Sequence, residues 1–265
     1  MPENILDRIS YDVTDRVARI ELSRTDAGNS LDQRMGRALR EAASRLSAGA
    51  SAGEVRVGVI AAKGKVFSVG GDLREFAGAG DRAAQVRATA DELHAALGTL
   101  RSLAIPLVSV IQGTAAGGGL GSALSGDIVL AASEAKLVTA YTASGLTPDC
   151  GLTWVIPRRV SRVRAMDLAL TNRVLTGEQA AAWGLVSRAV PAQDLAAEVD
   201  KVVTALRGGS AGALAGAKRL MAQSHERTIS EEMDLEAATI AKVIVEPDGV
   251  EGIDTFLAKR APVYR

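Results

Sequence analysis

The chain predicts an α/β fold: a mostly parallel sheet covered by helices, followed by a C-terminal helical region. Three observations predict it. Short apolar strand-like runs alternate with helix-like runs up to about Thr176. Two glycine-dense segments, Phe67-Ser68-Val69-Gly70-Gly71-Asp72-Leu73 and Ala116-Gly117-Gly118-Gly119-Leu120-Gly121, each follow a strand-like run and lead into a helix-like one. Beyond Thr176 the pattern turns to nearly continuous helix. Alternation of this kind favours right-handed crossovers and parallel pairing.

Taken in order, Val17-Ala18-Arg19-Ile20-Glu21-Leu22 alternates as a half-buried strand does. Leu31 to Leu46 places Leu31, Met35, Leu39 and Leu46 at helical spacing, and Val55, Val57 and Val59 mark a second strand that enters the first glycine segment. A helix is expected from about Arg82 to Leu100, because Val86, Ala90, Leu93, Leu97 and Leu100 recur at steps of four and three. Leu107 to Ile111 reads as a buried strand entering the second glycine segment, and Ile128 to Ala131 and Leu137 to Thr139 as two more. Ala-rich helices follow at Leu195–Leu206, Ala213–His225 and Glu231–Val245. With too few β signals to extend the sheet, this last part is expected to cover the core or a partner subunit. The expected division is a core domain over 1–200 and a helical region over 201–265.

Composition removes several function classes. Lys+Arg and Asp+Glu both number 31, so no net field favours nucleic acid or an anionic membrane. No apolar stretch approaches the roughly 20 residues of a spanning helix. The single cysteine, Cys150, forms neither a disulfide nor a metal site by itself and fits a reducing cytosol, so a cytoplasmic protein without a metal is expected.

The glycine segments offer bare N–H groups for an anion or for developing negative charge, since glycine admits close approach and a helix start leaves donors unpaired. A dinucleotide fingerprint fails on spacing: the sixth position is Ser122 from Gly117 and Leu124 from Gly119. A phosphate loop fails because Gly126 is followed by Asp127-Ile128.

Five motifs in order carry a resemblance: Asn29-Ser30-Leu31, the first glycine segment, Gly113-Thr114-Ala115-Ala116-Gly117-Gly118-Gly119, Gly126-Asp127-Ile128-Val129-Leu130-Ala131, and Gly145-Leu146-Thr147-Pro148-Asp149-Cys150-Gly151. Together they resemble the crotonase (enoyl-CoA hydratase/isomerase) superfamily over nearly the whole chain. The resemblance implies a ββα-repeat core, a homotrimer or dimer of trimers, and acyl-CoA thioester substrates, with coenzyme A present as part of the substrate and no separate cofactor. It also implies that the N–H groups of Gly71 and Gly118 form an oxyanion hole.

Hydratases of this family carry two glutamates, at positions that here hold Gly121 and Tyr141. Water addition needs one group to deprotonate water and another to protonate carbon. Glycine supplies neither, so ordinary hydratase activity is not expected. Asp149 remains, in a setting similar to the enoyl-CoA isomerases of bacterial phenylacetate degradation, and one carboxylate suffices for a 1,3-proton shift. Against this stands an aspartate that merely caps the next helix. Tyr141, Leu146 and Trp154 are candidates for the acyl-pocket wall. Arg24, Arg74 and Lys259 are candidates for the phosphates of coenzyme A. His94 reads as a solvated or packed histidine, and Cys150 as a small buried residue. A hydratase with atypical water activation and a catalytically silent acyl-CoA-binding subunit are the alternatives.

Overall fold

The computed structural model describes residues 2–264. Its strands are β1 (Glu3–Ile5), β2 (Ile9–Thr14), β3 (Val17–Leu22), β4 (Val57–Ala62), β5 (Val66–Ser68), β6 (Leu107–Ile111), β7 (Thr114–Ala116), β8 (Ile128–Ala132), β9 (Lys136–Val138), β10 (Leu175–Thr176) and β11 (Arg188–Val190). The helices are α1 (Gln33–Ser51), α2 (Leu73–Gly78), α3 (Arg82–Ser102), α4 (Gly118–Ala123), α5 (Leu152–Arg159), α6 (Arg162–Thr171), α7 (Gly177–Trp183), α8 (Leu195–Arg207), α9 (Ala211–Gln223), α10 (Ile229–Val243) and α11 (Pro247–Leu257).

A seven-stranded sheet runs β1-β2-β3-β4-β6-β8-β11, antiparallel in the β1-β2-β3 meander and parallel from β3 onward. A four-stranded sheet runs β10-β9-β7-β5, parallel except at β10. The chain visits the two sheets alternately. β4, β6 and β8 lie in the large sheet, and each is followed within a few residues by β5, β7 or β9 in the small one. A helical segment then leads back, which is the expected ββα repeat. Such a path places the carboxyl ends of β5, β7 and β9 side by side.

Sequence periodicity fixes the helix faces. α1 buries Met35, Ala38, Leu39, Ala42, Ala43 and Leu46, at steps of three and four, and lies along α3. The helix does not begin at Leu31. Asp32 is its cap, accepting a 2.6 Å hydrogen bond from Met35 N–H, and Leu31 forms a β-bridge with Gly71. Asp32 also receives the guanidinium groups of Arg8 and Arg24 at 2.8 and 3.0 Å. On α3 the apolar stripe divides. Leu93, Leu97 and Leu100 are buried, whereas Val86 and Ala90 line a cavity.

One expectation is overturned. The C-terminal third does extend the sheet, because β11 pairs parallel with β8 through Arg188, Ala189 and Val190. Its three residues are too short and too polar to carry a strand pattern, and pairing to a buried neighbour supplies what propensity does not. Residue 200 falls inside α8, whose Val199, Val202 and Val203 are buried. α9 buries none of its residues, and Met221, Ile229, Ile240, Phe256 and Leu257 are exposed on or beside α9, α10 and α11.

Two capping aspartates separate propensity from tertiary electrostatics. Asp81 caps α3 through Ala84 N–H and meets solvent, so Asp81→Ala is expected to cost about 1 kcal/mol. Asp32→Ala removes a cap and leaves two partly buried guanidinium groups short of a partner, and should cost about 3 kcal/mol or more. Urea denaturation midpoints of the two variants measure the difference.

Candidate active site

The site forms where β5 and β7 end together. Asn29, buried and at φ 54°, donates from Nδ2 to the carbonyls of Lys63 and Val66 at 3.0 and 2.9 Å. Ser68 Oγ donates to Asn29 O, so the Asn29 motif fixes the strand leading to the first glycine segment. That segment then lies directly on the second. A Cβ at Gly70, where φ is 90°, would stand 2.8 Å from Ala116 O, and one at Gly119 would stand 2.5 Å from Ser68 Cβ. Neither position admits a side chain without parting the two segments.

Among the described residues the β-bridge leaves the Gly71 N–H without an acceptor. Leu31 N–H donates to Gly70 O and Asp72 N–H to Leu31 O, while Gly71 takes no part as donor. Gly118 is the first residue of α4, so its N–H has no carbonyl within the helix to reach. Both glycines line one cavity of about 600 Å³. The expected pair of oxyanion donors is thus brought together.

Asp149 and Tyr141 line the same cavity. The Tyr141 hydroxyl donates to Asp149 Oδ1. Burial first, with the neighbouring Cys150 and Asp149 adding to it, pushes the phenol far above its usual range, so it keeps its proton and acts as a donor. Capping is not the role of Asp149. α5 is capped by Gly151 without any side-chain hydrogen bond, and only the backbone carbonyl of Asp149 serves the turn, accepting from Leu152 N–H.

Cys150 fills space that another side chain would need. A Cβ at Gly121 would meet Cys150 Cβ at 2.6 Å and its carbonyl oxygen at 2.7 Å. The thiol itself packs beside Gly118. Burial pushes its pKa well up, and the Asp149 carboxylate adds to the effect. The reading of Cys150 as a small buried residue therefore holds.

His94 corrects an expectation. It is exposed on α3, yet its Nε2 accepts a 3.2 Å hydrogen bond from Cys150 N–H, 56 residues away in sequence. Ligand atoms of His94, Asp149 and Cys150 all lie within 4.8 Å of one another. Two turns further along α3, Arg101 is largely buried against Gly151, where a Cβ would stand 2.5 Å from Nη1. Its Nη2 has no partner among the described residues, and burial lowers its pKa. Neither residue was legible as part of the site, because nothing near His94 or Arg101 in sequence points to residues 149–151.

The apolar wall is partly as expected. Leu146 and Tyr141 line the cavity, joined by Leu73, Phe76, Val86, Ala90 and Leu93. Trp154 does not line it. Its ring lies under the Arg158 guanidinium at 4.0 Å and meets His225 edge-on at 5.5 Å, because α5 turns this face away from the cavity. Phe76 belongs to this wall, and its ring edge lies 2.9 Å from where a Cβ of Gly71 would stand.

A second cavity of about 850 Å³ adjoins the first through Val69, Gly71 and Leu73, and is lined by Arg24 and Arg74. Arg24 is committed internally, to Asp72 at 2.7 Å, to Asp32 and to Ser30. Burial raises the Asp72 pKa, but the Glu75 N–H and Arg24 outweigh it and hold the carboxyl below its usual range. Arg74 forms no ion pair among the described residues. Lys259, beyond α11, lines neither cavity.

The comparisons agree with this geometry. The family model for enoyl-CoA hydratase/isomerase matches residues 12–265. A probable enoyl-CoA hydratase of Rhodobacter capsulatus is 32% identical over 256 residues, 97% of each chain. The 1,2-epoxyphenylacetyl-CoA isomerase of Escherichia coli is 38% identical over 165 residues, 62% of this chain and 63% of its own. The crystal structure of an enoyl-CoA hydratase from Polaromonas sp. JS666 superposes with a TM-score of 0.91 at 29% identity, covering 97% of this chain and 100% of that one. The fold is the crotonase fold, and the chain belongs to the enoyl-CoA hydratase/isomerase family.

Proposed function

We propose that this enzyme is an enoyl-CoA isomerase that moves a double bond in an unsaturated acyl-CoA thioester by a 1,3-proton shift at Asp149. The observation that carries the reading is the arrangement around that carboxylate. It lines the cavity into which two unpaired backbone donors open, and the space beside Gly121, where a second carboxylate would stand, is filled by Cys150.

The chemistry follows from this arrangement. With the thioester oxygen between the N–H groups of Gly71 and Gly118, an Asp149 oxygen removes a proton from C2 or C4. The C–H electron pair becomes part of a dienolate whose charge gathers on the thioester oxygen. Preorganised donors stabilise that charge more than the ground state, at about 3–4 kcal/mol for one donor. The protonated Asp149 then returns its proton to the other end. Tyr141 stands where a hydratase carries its second glutamate. Its hydroxyl orients the Asp149 carboxylate and occupies the acceptor that would otherwise hold a water.

The second cavity suits the phosphates of coenzyme A, with Arg74 as the available cation, Arg24 shaping the wall through its carboxylates, and Lys259 reaching the phosphates from the C-terminal region, in this subunit or a neighbour. The exposed apolar residues of α9, α10 and α11 support self-association, as a homotrimer or a dimer of trimers. The names of the relatives divide between hydratase and isomerase, so turnover must decide. A mixture of a β,γ- and an α,β-enoyl-CoA separates the outcomes: bond migration supports the proposal, 3-hydroxyacyl-CoA formation replaces it with hydration, and binding without turnover makes the protein a silent acyl-CoA binder.

Asp149→Asn should lower the isomerisation rate by about 10²-fold or more while acyl-CoA binding persists. Equal rates for variant and parent would refute the proton shuttle. Tyr141→Phe, which keeps the ring and removes the hydroxyl, should lower kcat about tenfold and leave KM nearly unchanged. Gly121→Glu should bring no hydration and should destabilise the fold by about 1–3 kcal/mol, read as a lower Tm, because its side chain meets Cys150.

A further inference from the structure

Outside the role given to Asp149, the same corner of the molecule gathers three donors of different chemistry from two elements. His94 comes from the middle of α3, and Asp149 and Cys150 from the turn before α5. Their imidazole nitrogen, carboxylate oxygen and sulfur lie within 4.8 Å of one another. Tetrahedral zinc or cobalt, with bonds of about 2.0–2.3 Å, holds its ligand atoms about 3.3–3.8 Å apart. Closing the remaining gap needs a shift of about an ångström, which His94, exposed on its helix, makes by giving up its bond from Cys150 N–H.

We propose that His94, Asp149 and Cys150 form a binding site for a thiophilic divalent cation such as Zn2+ or Co2+. Asp149 and Cys150 line the cavity and His94 faces solvent, so the cation has a path to all three. The mixed nitrogen, oxygen and sulfur set suits zinc and excludes magnesium and calcium, which take oxygen ligands. Binding balances as one cation taken up and one proton released: the Cys150 thiol gives its proton to the buffer and becomes a thiolate ligand. Neutral His94 contributes a lone pair, and its 3.2 Å hydrogen bond from Cys150 N–H is exchanged for the metal bond. Tyr141 keeps its proton and its bond to Asp149, an outer contact that orients a ligating carboxylate. Arg101, packed against the turn, opposes the cation's charge. The site rests on this geometry alone, whatever reaction Asp149 performs.

Cobalt tests it directly, because Cys150 is the sole cysteine of the chain and a thiolate-to-cobalt charge-transfer band reports that residue and no other. Titration of the full-length protein with Co2+ should give a near-ultraviolet band that saturates at one cobalt per chain, and Zn2+ should displace it. Cys150→Ser should abolish the band. His94→Ala, at an exposed position of α3, should weaken cobalt binding about tenfold or more, and an unchanged Tm checks that the turn bonded to His94 stays in place. His225→Ala removes the other histidine, which stands 3.8 Å from Glu226, and should change nothing. Absence of the band overturns the proposal, and so does cobalt affinity that survives His94→Ala unchanged or falls with His225→Ala. None of these readouts needs turnover, so a failed isomerase assay and a failed metal site are separate results.

Discussion

The close contact between the two glycine segments is the constraint on which the rest of the site depends. β5 and β7 are neighbours in a short parallel sheet, so the segments that leave them must run abreast. They can do so only because Gly70 and Gly119 present no Cβ to Ala116 O and Ser68. An extra carbon at either place would part the strands and move Gly71 away from Gly118, with which it lines one cavity. Both glycines are therefore positioned by backbone packing, which under the proposed reading leaves their N–H groups needing no reorganisation when charge develops between them. Asn29 contributes from outside, holding the carbonyls of Lys63 and Val66 on either side of the turn into β5.

Tyr141 comes from the carboxyl end of the next strand in that sheet. Since β9 pairs parallel with β7, the residues after it arrive beside Gly117 and Gly118, and a Cβ at Gly117 would stand 3.7 Å from the Tyr141 ring. Three successive ββα units thus deliver the first donor, the second donor and the partner of Asp149. The loop from Tyr141 to Gly151 then folds back over them, pinned on α3 by His94 and Arg101. Cys150 sits at the centre of this layer. It adopts φ 50°, an uncommon conformation for a side chain other than glycine, and its sulfur and carbonyl close the space beside Gly118 and Gly121.

What was legible in the sequence follows from how local each signal is. β6, α3 and α8 carry their own hydrophobic periodicity, and their spans emerge within a residue or two of expectation. Gly71, Gly118 and Asp149, named from the ordered motifs of the resemblance, all line one cavity although those motifs lie far apart in sequence. β1, β2 and β11 were not, since they are edge or near-edge strands stabilised by partners distant in sequence. Trp154 was assigned to the acyl wall from its nearness to Asp149, but one turn of helix rotates it to the far side, against Arg158. His94 failed in the opposite direction, because an exposed histidine on an amphipathic helix reads as solvated until the turn that meets it is seen.

The same packing bears on the proposed preference for isomerisation over hydration. Hydration needs a water held between carboxylates, and the room for such a water lies beside Gly121 and at the Tyr141 hydroxyl. Here the first space holds Cys150, and the second is closed by a hydrogen bond that ends on Asp149. Restoring a glutamate at either place would also require moving Cys150 or giving up the donor to Asp149. The two substitutions are coupled through one turn, Asp149-Cys150-Gly151, whose backbone is held by α3. If the proposed isomerisation is the reaction of this chain, converting it to hydration calls for re-siting that turn along with its carboxylate, since residues in direct contact do not act additively.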